Sequence, residues 1–190
     1  RIYVHKKIYN KFVDAFLAEV QSFKIGAPTD EKTYIGPLTR HQQLNVLDQQ
    51  VADAKAKGAT LRCGGERLAG PGNYFAPTVF TEVTHAMELM REESFGPIIG
   101  IQKVSHDEEA VELMNDTEYG LTAGVFSSIQ DRAQAILKQM RTGSVYWNCC
   151  DRVSPHLPWS GVGHSGVGLT LGVEGIRTFC RAKAWHLRAR

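Results

Sequence analysis

Two hydrophobic periods alternate along this chain, and that alternation constrains the fold more than any other feature. Ile2-Tyr3-Val4 is a short apolar run. A helical stripe follows over 6–23, with Ile8, Phe12, Phe16 and Val20 at i+4 spacing and Tyr9, Val13 and Leu17 filling the same face. Gly26, Pro28, Thr29 and Asp30 break it into a loop. Leu44, Leu47, Val51 and Ala54 predict a second helix over 39–57, stopped by Gly58. Strands are expected over 60–63, 77–81, 98–104, 122–126 and 145–147, and a short helix over 85–90. Ser105-His106-Asp107-Glu108 has the form of a capping box, opening a helix that buries Ala110, Val111 and Met114. A further helix over 129–140 buries Ala133, Ile136, Leu137 and Met140. Strands alternating with helices at this spacing predict an α/β fold, an open and largely parallel sheet with helices on both faces. Periodicity fails over 151–168, where Pro155, Pro158 and four glycines make a long irregular connection. A helical turn near 169–175 and a final strand over 178–187 complete the chain. The expected organisation is an α/β core over 1–150, an irregular loop with a short helix over 151–175, and a C-terminal extension strand over 176–190.

With 190 residues, 43% apolar and 22% charged, the chain has the length and composition of one globular domain with its own core. A net charge of +2 gives no reason to expect nucleic acid or an acidic membrane as partner. No apolar stretch approaches the ~20 residues that span a bilayer, and no signal peptide is visible. Arg177, Arg181, Lys183, Arg188 and Arg190 make the end of the chain basic, as in a solvated edge strand blunted by cations. Cys63, Cys149, Cys150 and Cys180 form no C-x-x-C pair, so neither a zinc site nor a disulfide scaffold is expected. Their low number suggests a reducing, cytoplasmic setting. The sequence enters an apolar strand directly from Arg1, which is expected of a piece of a longer polypeptide.

The stretch with the most chemistry is Arg91-Glu92-Glu93-Ser94-Phe95-Gly96-Pro97. Pro97 lacks an N–H donor and biases Gly96 away from the helical region, so the preceding structure closes there. Ile98-Ile99-Gly100-Ile101 then begins a buried strand. Glu93 and Phe95 therefore sit on a turn entering a sheet, where loops carry ligand chemistry. A solvated Glu pair beside a core Phe is the plainer reading of the same residues. Gly161-Val162-Gly163-His164-Ser165-Gly166 fits G-x-G-x-x-G, but Pro158-Trp159 precede it and no acid follows Glu174. A dinucleotide fingerprint needs a strand before and a ribose-binding acid ~20 residues after, so a flexible glycine loop is expected instead. His164 reads as an exposed side chain. Cys149 and Cys150 end a strand, where an inert thiol is commoner than a reactive one.

Glu-Glu-x-Phe-Gly-Pro over 92–97 resembles the signature of the aldehyde dehydrogenase superfamily. Five other ordered matches cover nearly the whole chain. They are Gly36-Pro37-Leu38 with Gln43, Tyr74-Phe75-Ala76-Pro77-Thr78-Val79-Phe80, Tyr119-Gly120-Leu121-Thr122-Ala123-Gly124-Val125-Phe126, Gly143-Ser144-Val145-Tyr146-Trp147-Asn148, and Pro158-Trp159-Ser160-Gly161 with Ser165-Gly166.

The resemblance implies an enzyme that oxidises an aldehyde to a carboxylic acid with NAD or NADP. A cysteine thiolate attacks the aldehyde, hydride passes to the cofactor, and water hydrolyses the thioester. It places the nucleophile just upstream of Ile2-Tyr3-Val4, and the general base, oxyanion asparagine and most of the nucleotide-binding region further upstream. No catalytic residue is then expected in this chain, and the isolated chain is expected to be inactive. Glu93 matches the carboxylate that holds the nicotinamide ribose hydroxyls, Phe95 the aromatic near the nicotinamide, and Gln43 a cofactor-facing position on the second helix. Trp159 matches an aromatic of the aldehyde tunnel, and Cys150 and Asp151 begin the substrate loop. The implied partners are the aldehyde, the chain's own N-terminal region, and further copies in a dimer or tetramer paired through the C-terminal strand. Two departures stand out. Val162-Gly163 replace a Tyr-Lys pair, and Thr170 stands where many relatives carry a proton-relaying glutamate. A non-catalytic domain that keeps the fold for subunit assembly is the competing class.

Overall fold

The computed structural model describes residues 1–150 and 152–189. They form two units, Arg1–Asp116 and Thr117–Arg190.

The first unit contains β1 (Ile2–His5), α1 (Tyr9–Ser22), α2 (Gln42–Ala56), β2 (Thr60–Cys63), β3 (Thr78–Thr81), a 3-10 turn (Glu88–Met90), β4 (Ile98–Val104) and α3 (Asp107–Asn115). Its sheet runs β1-β4-β3-β2. β4 is parallel to both neighbours, with Ile2 opposite Ile101 and Thr78 opposite Ile98. β2 closes the edge antiparallel to β3. Side chains alternate across a strand, and the two faces sort accordingly. Val4, Val79, Ile99 and Ile101 meet Tyr9, Val13 and Phe16 of α1. Tyr3, Phe80 and Ile98 join Leu44, Leu47, Val51 and Ala54 of α2. Helices thus cover both faces of a largely parallel sheet, as the alternating periods require. Phe80, Ile101 and Leu47 are fully excluded from solvent, so the centre of the sheet is the centre of the core.

Several local expectations shift. The first helix begins at Tyr9, because Lys6 continues the β1 register with its amide on the Val104 carbonyl and a turn comes next. Ile8 leaves the stripe and is 56% exposed. The helix after β4 is capped one residue later than Ser105: the His106 Nδ1 accepts the Glu109 amide, and the Glu109 carboxylate accepts the Ser105 amide. Ala110, Val111 and Met114 are only half-buried on it.

The second unit contains β5 (Tyr119–Gly120), β6 (Thr122–Val125), α4 (Gln130–Leu137), β7 (Ser144–Trp147), β8 (Val162–Gly163) and α5 (Gly172–Arg177). β6 and β7 pair in parallel around α4, which buries Ala133, Ile136 and Leu137, while Met140 stays half-buried. The glycine-rich segment is not wholly a loop: Val162 and Gly163 pair antiparallel with Gly120 and Tyr119. No strand forms over 178–187. Those residues make no ladder among the described residues, and Phe179, Trp185 and Leu187 are 89%, 70% and 84% exposed. A strand needs a neighbouring edge to satisfy its backbone, and 178–187 pairs with none among the described residues.

Candidate functional site

The turn between the 3-10 segment and β4 is held at both ends by backbone bonds. At its start the Arg91 and Glu92 amides donate to the Glu88 carbonyl. At its end the Thr78 amide donates to the Pro97 carbonyl at 2.7 Å, which ties the turn to β3. An Arg91 guanidinium nitrogen also lies 3.3 Å from the Asp116 carboxylate.

Its middle rests on α2. The Gln43 Nε2 donates to the Ser94 carbonyl at 2.5 Å. The Ser94 hydroxyl donates to the Gln50 Oε1 at 2.7 Å, and the Gln50 Nε2 reaches the Glu93 carbonyl at 3.4 Å. Gly96 lies so close to Leu47 that a Cβ there would stand 2.6 Å from its Cδ1. The 3-10 turn leans on the same helix, with the Glu88 amide donating to the Asp53 carboxylate at 2.8 Å. Burial of Asp53 works against its charge, but the Lys57 ammonium and the Glu88 amide outweigh it and hold its carboxyl below the usual range.

This clamping leaves the chemical groups outward. Glu93 is exposed. Phe95 is 75% exposed and has a φ of 43°, a left-handed conformation that a bulky residue adopts only under constraint. The plainer sequence reading, with Phe95 in the core, is therefore excluded. An outward carboxylate beside an outward ring can accept two hydroxyl donors from a diol while the ring packs against a flat heterocycle. Gln43 meets the turn itself through its Nε2.

The sequence reading missed two supports. Gln50 is only 2% exposed on the apolar face of α2. Its signal was a polar residue three positions after Leu47 on a buried stripe. The other is a chain of polar groups in the first unit. The Tyr3 hydroxyl lies 2.7 Å from the His85 Nε2, and the His85 Nδ1 lies 2.8 Å from the Asp116 carboxylate that also meets Arg91. Burial pushes the Tyr3 phenol up to about 12, with Arg1 opposing and Asp116 assisting.

In the second unit a cleft of about 230 Å³ is lined by Val145, Tyr146, Leu157, Pro158 and Trp159, with Arg152 adding a cation. Trp159 is fixed by paired backbone bonds with Thr170, at 2.7 and 2.9 Å. Thr170 thus serves as a brace for the aromatic wall. Cys150 is exposed at the end of the segment after β7. Asp151 lies outside the described residues. His164 is largely exposed and sits 3.1 Å from the Glu118 carboxylate. Among the described residues no group of three or more His, Cys, Asp or Glu side chains is arranged to hold a metal ion. No helix among them is long and apolar enough to cross a membrane.

Residues 1–185 match the family model described as the aldehyde dehydrogenase family, and the chain belongs to that family. It is 39% identical, over 183 residues, to the succinate-semialdehyde dehydrogenase [NADP(+)] 1 of Mycobacterium ulcerans, covering 96% of this chain and 40% of that protein. A succinate-semialdehyde dehydrogenase [NADP(+)] of Mycobacterium avium is 40% identical over 96% of this chain and 39% of its own length. Among solved structures, the betaine aldehyde dehydrogenase of Staphylococcus aureus in complex with NAD+ superposes with a TM-score of 0.90 at 34% identity, covering 94% of this chain and 36% of that one. The chain therefore spans about 40% of the length of the curated relatives it matches.

Proposed function

We propose that this chain forms the cofactor-positioning and substrate-lining part of an NAD(P)-dependent aldehyde dehydrogenase. The whole enzyme would oxidise an aldehyde to a carboxylic acid through a cysteine thioester. The observation that carries this reading is the clamped turn, with Glu93 and Phe95 turned outward in a family whose members act on aldehydes. NAD or NADP, when bound, accepts the hydride. Glu93 holds the nicotinamide ribose hydroxyls, which fixes the distance over which hydride moves. Phe95 packs beside the nicotinamide, and Gln43 supports the same site. Trp159, Cys150 and Asp151 line the path of the aldehyde. The nucleophile and general base are assigned upstream of Arg1, in keeping with the 40% of the relatives' length that is matched. The mycobacterial relatives' names put an aldehyde bearing a carboxylate first among the substrates to try, and Arg152 offers such a group a cation. A homo-oligomer in the cytoplasm completes the reading.

A second reading, a non-catalytic assembly module, draws on the exposed Phe179, Trp185 and Leu187, which a partner subunit would cover.

The experiment is reduced-cofactor formation from a panel of aldehydes. The 190-residue chain is compared with a protein extended upstream to include the family's cysteine. Turnover by the extended protein alone is the expected result. Turnover by the shorter chain would overturn the upstream assignment and make Cys149 or Cys150 the thiol. No turnover by either would favour the assembly module.

A further inference from the structure

We propose that Gln50 is a positioning residue for the cofactor, acting through Ser94 on the turn that presents Glu93 and Phe95. The proposal rests on the reading of Glu93 as the ribose ligand. Gln50 is 2% exposed on a helix face otherwise made of Leu44, Leu47, Val51 and Ala54. An apolar side chain there would bury without needing partners, whereas a carboxamide must be satisfied. Both ends of this carboxamide are spent on the turn: Oε1 on the Ser94 hydroxyl and Nε2 on the Glu93 carbonyl. A backbone carbonyl only accepts, so Nε2 faces Glu93 and Oε1 must take the Ser94 proton. Gln43 lies two helical turns earlier on the same face and takes the Ser94 carbonyl. Consecutive carbonyls, of Glu93 and Ser94, are therefore fixed by one helix.

The fixed carbonyls determine how the two side chains point. With the Glu93 and Ser94 carbonyls held against α2, the Glu93 carboxylate stays exposed and Phe95 is carried into its left-handed conformation. A free turn would relax out of that conformation and fold the ring onto apolar surface. A carboxylate that must meet two hydroxyls at once loses affinity when its backbone moves. Gln50 touches neither ligand nor reacting atoms, and its effect passes entirely through the turn.

The test uses the upstream-extended protein and three variants, Gln50→Met, Ser94→Ala and Glu93→Gln. Three quantities are read: the NAD(P) Kd by calorimetry, amide exchange across residues 93–97, and the thermal midpoint. Gln50→Met is expected to speed exchange in the turn and raise the Kd about tenfold, and Ser94→Ala added to it is expected to do little more, because both remove one linkage. A Gln50 that served packing alone would lower the midpoint and leave the Kd within about twofold of the unmodified protein. That result, with Glu93→Gln still raising the Kd, would overturn the proposal while the ribose reading stands. A Kd unmoved by Glu93→Gln would remove the ribose reading and the proposal with it.

Discussion

Replacing Gly96 by Ala tests how tightly the turn is seated on α2. The added Cβ would stand 2.6 Å from the Leu47 Cδ1 and 2.9 Å from its Cδ2. Carbon atoms prefer about 3.5–4.0 Å, so one side must retreat by about 1 Å. Gly96 is not in the left-handed region, so the cost is steric rather than conformational. Leu47 is fully buried, and close-packed interiors yield little to such a shift. Overpacking of this kind costs about 1–3 kcal/mol. Leu47→Ala alone should cost about 3 kcal/mol by opening a cavity. Together the two changes should partly cancel, because the new methyl enters the space that Leu47 vacates. Urea unfolding of the four proteins in the cycle measures this, with an expected coupling of about 1–2 kcal/mol in the favourable direction. Additivity within about 0.5 kcal/mol would refute the seating of the turn on Leu47.

Contacts elsewhere in the chain make further outcomes measurable. A Cβ at Gly143 would be driven into the Ser160 carbonyl oxygen, with backbone on both sides, so Gly143→Ala should lower the thermal midpoint by about 5–10 °C. Asp53 has a lowered carboxyl pKa in the folded chain, so its contribution to stability is complete above the unfolded value of about 4 and is lost as pH falls through the folded value. Asp53→Asn should remove that part of the acid slope when thermal midpoints are measured from pH 7 downward, and an unchanged slope would contradict the assignment. Tyr3→Phe leaves the largely buried His85 without its 2.7 Å partner, and urea unfolding should show a loss of about 1–3 kcal/mol.

Much of this architecture was legible because local period and burial agree. The stripe Leu44, Leu47, Val51, Ala54 faces the core as its spacing demands, and β4 is the apolar run directly after Pro97. The turn was legible as a turn for the same reason, since Gly96-Pro97 must end what precedes it. The orientation of Phe95 was not, because an aromatic beside a buried strand has every local reason to turn inward. The turn that presents it is tied to Gln43 and Gln50, more than forty residues away in sequence, and no local pattern announces those bonds. The helix cap slipped by one residue because Ser105-His106-Asp107-Glu108-Glu109 offers two overlapping frames, and the start of the helix chooses between them. Pairing across long separations escaped as well. Val162-Gly163 became a strand only by meeting Tyr119-Gly120, whereas 178–187 meets no such partner among the described residues and is irregular.

Glu93 as the residue that holds the cofactor for hydride transfer is the central claim. It is tested most directly by the stopped-flow burst of reduced cofactor from the upstream-extended protein and its Glu93→Gln variant, at saturating NAD(P), with succinate semialdehyde and its deuterated form. The expected result is a burst slowed about tenfold or more in the variant, with a primary isotope effect showing that hydride transfer has become limiting. An unchanged burst rate without an isotope effect would contradict the claim.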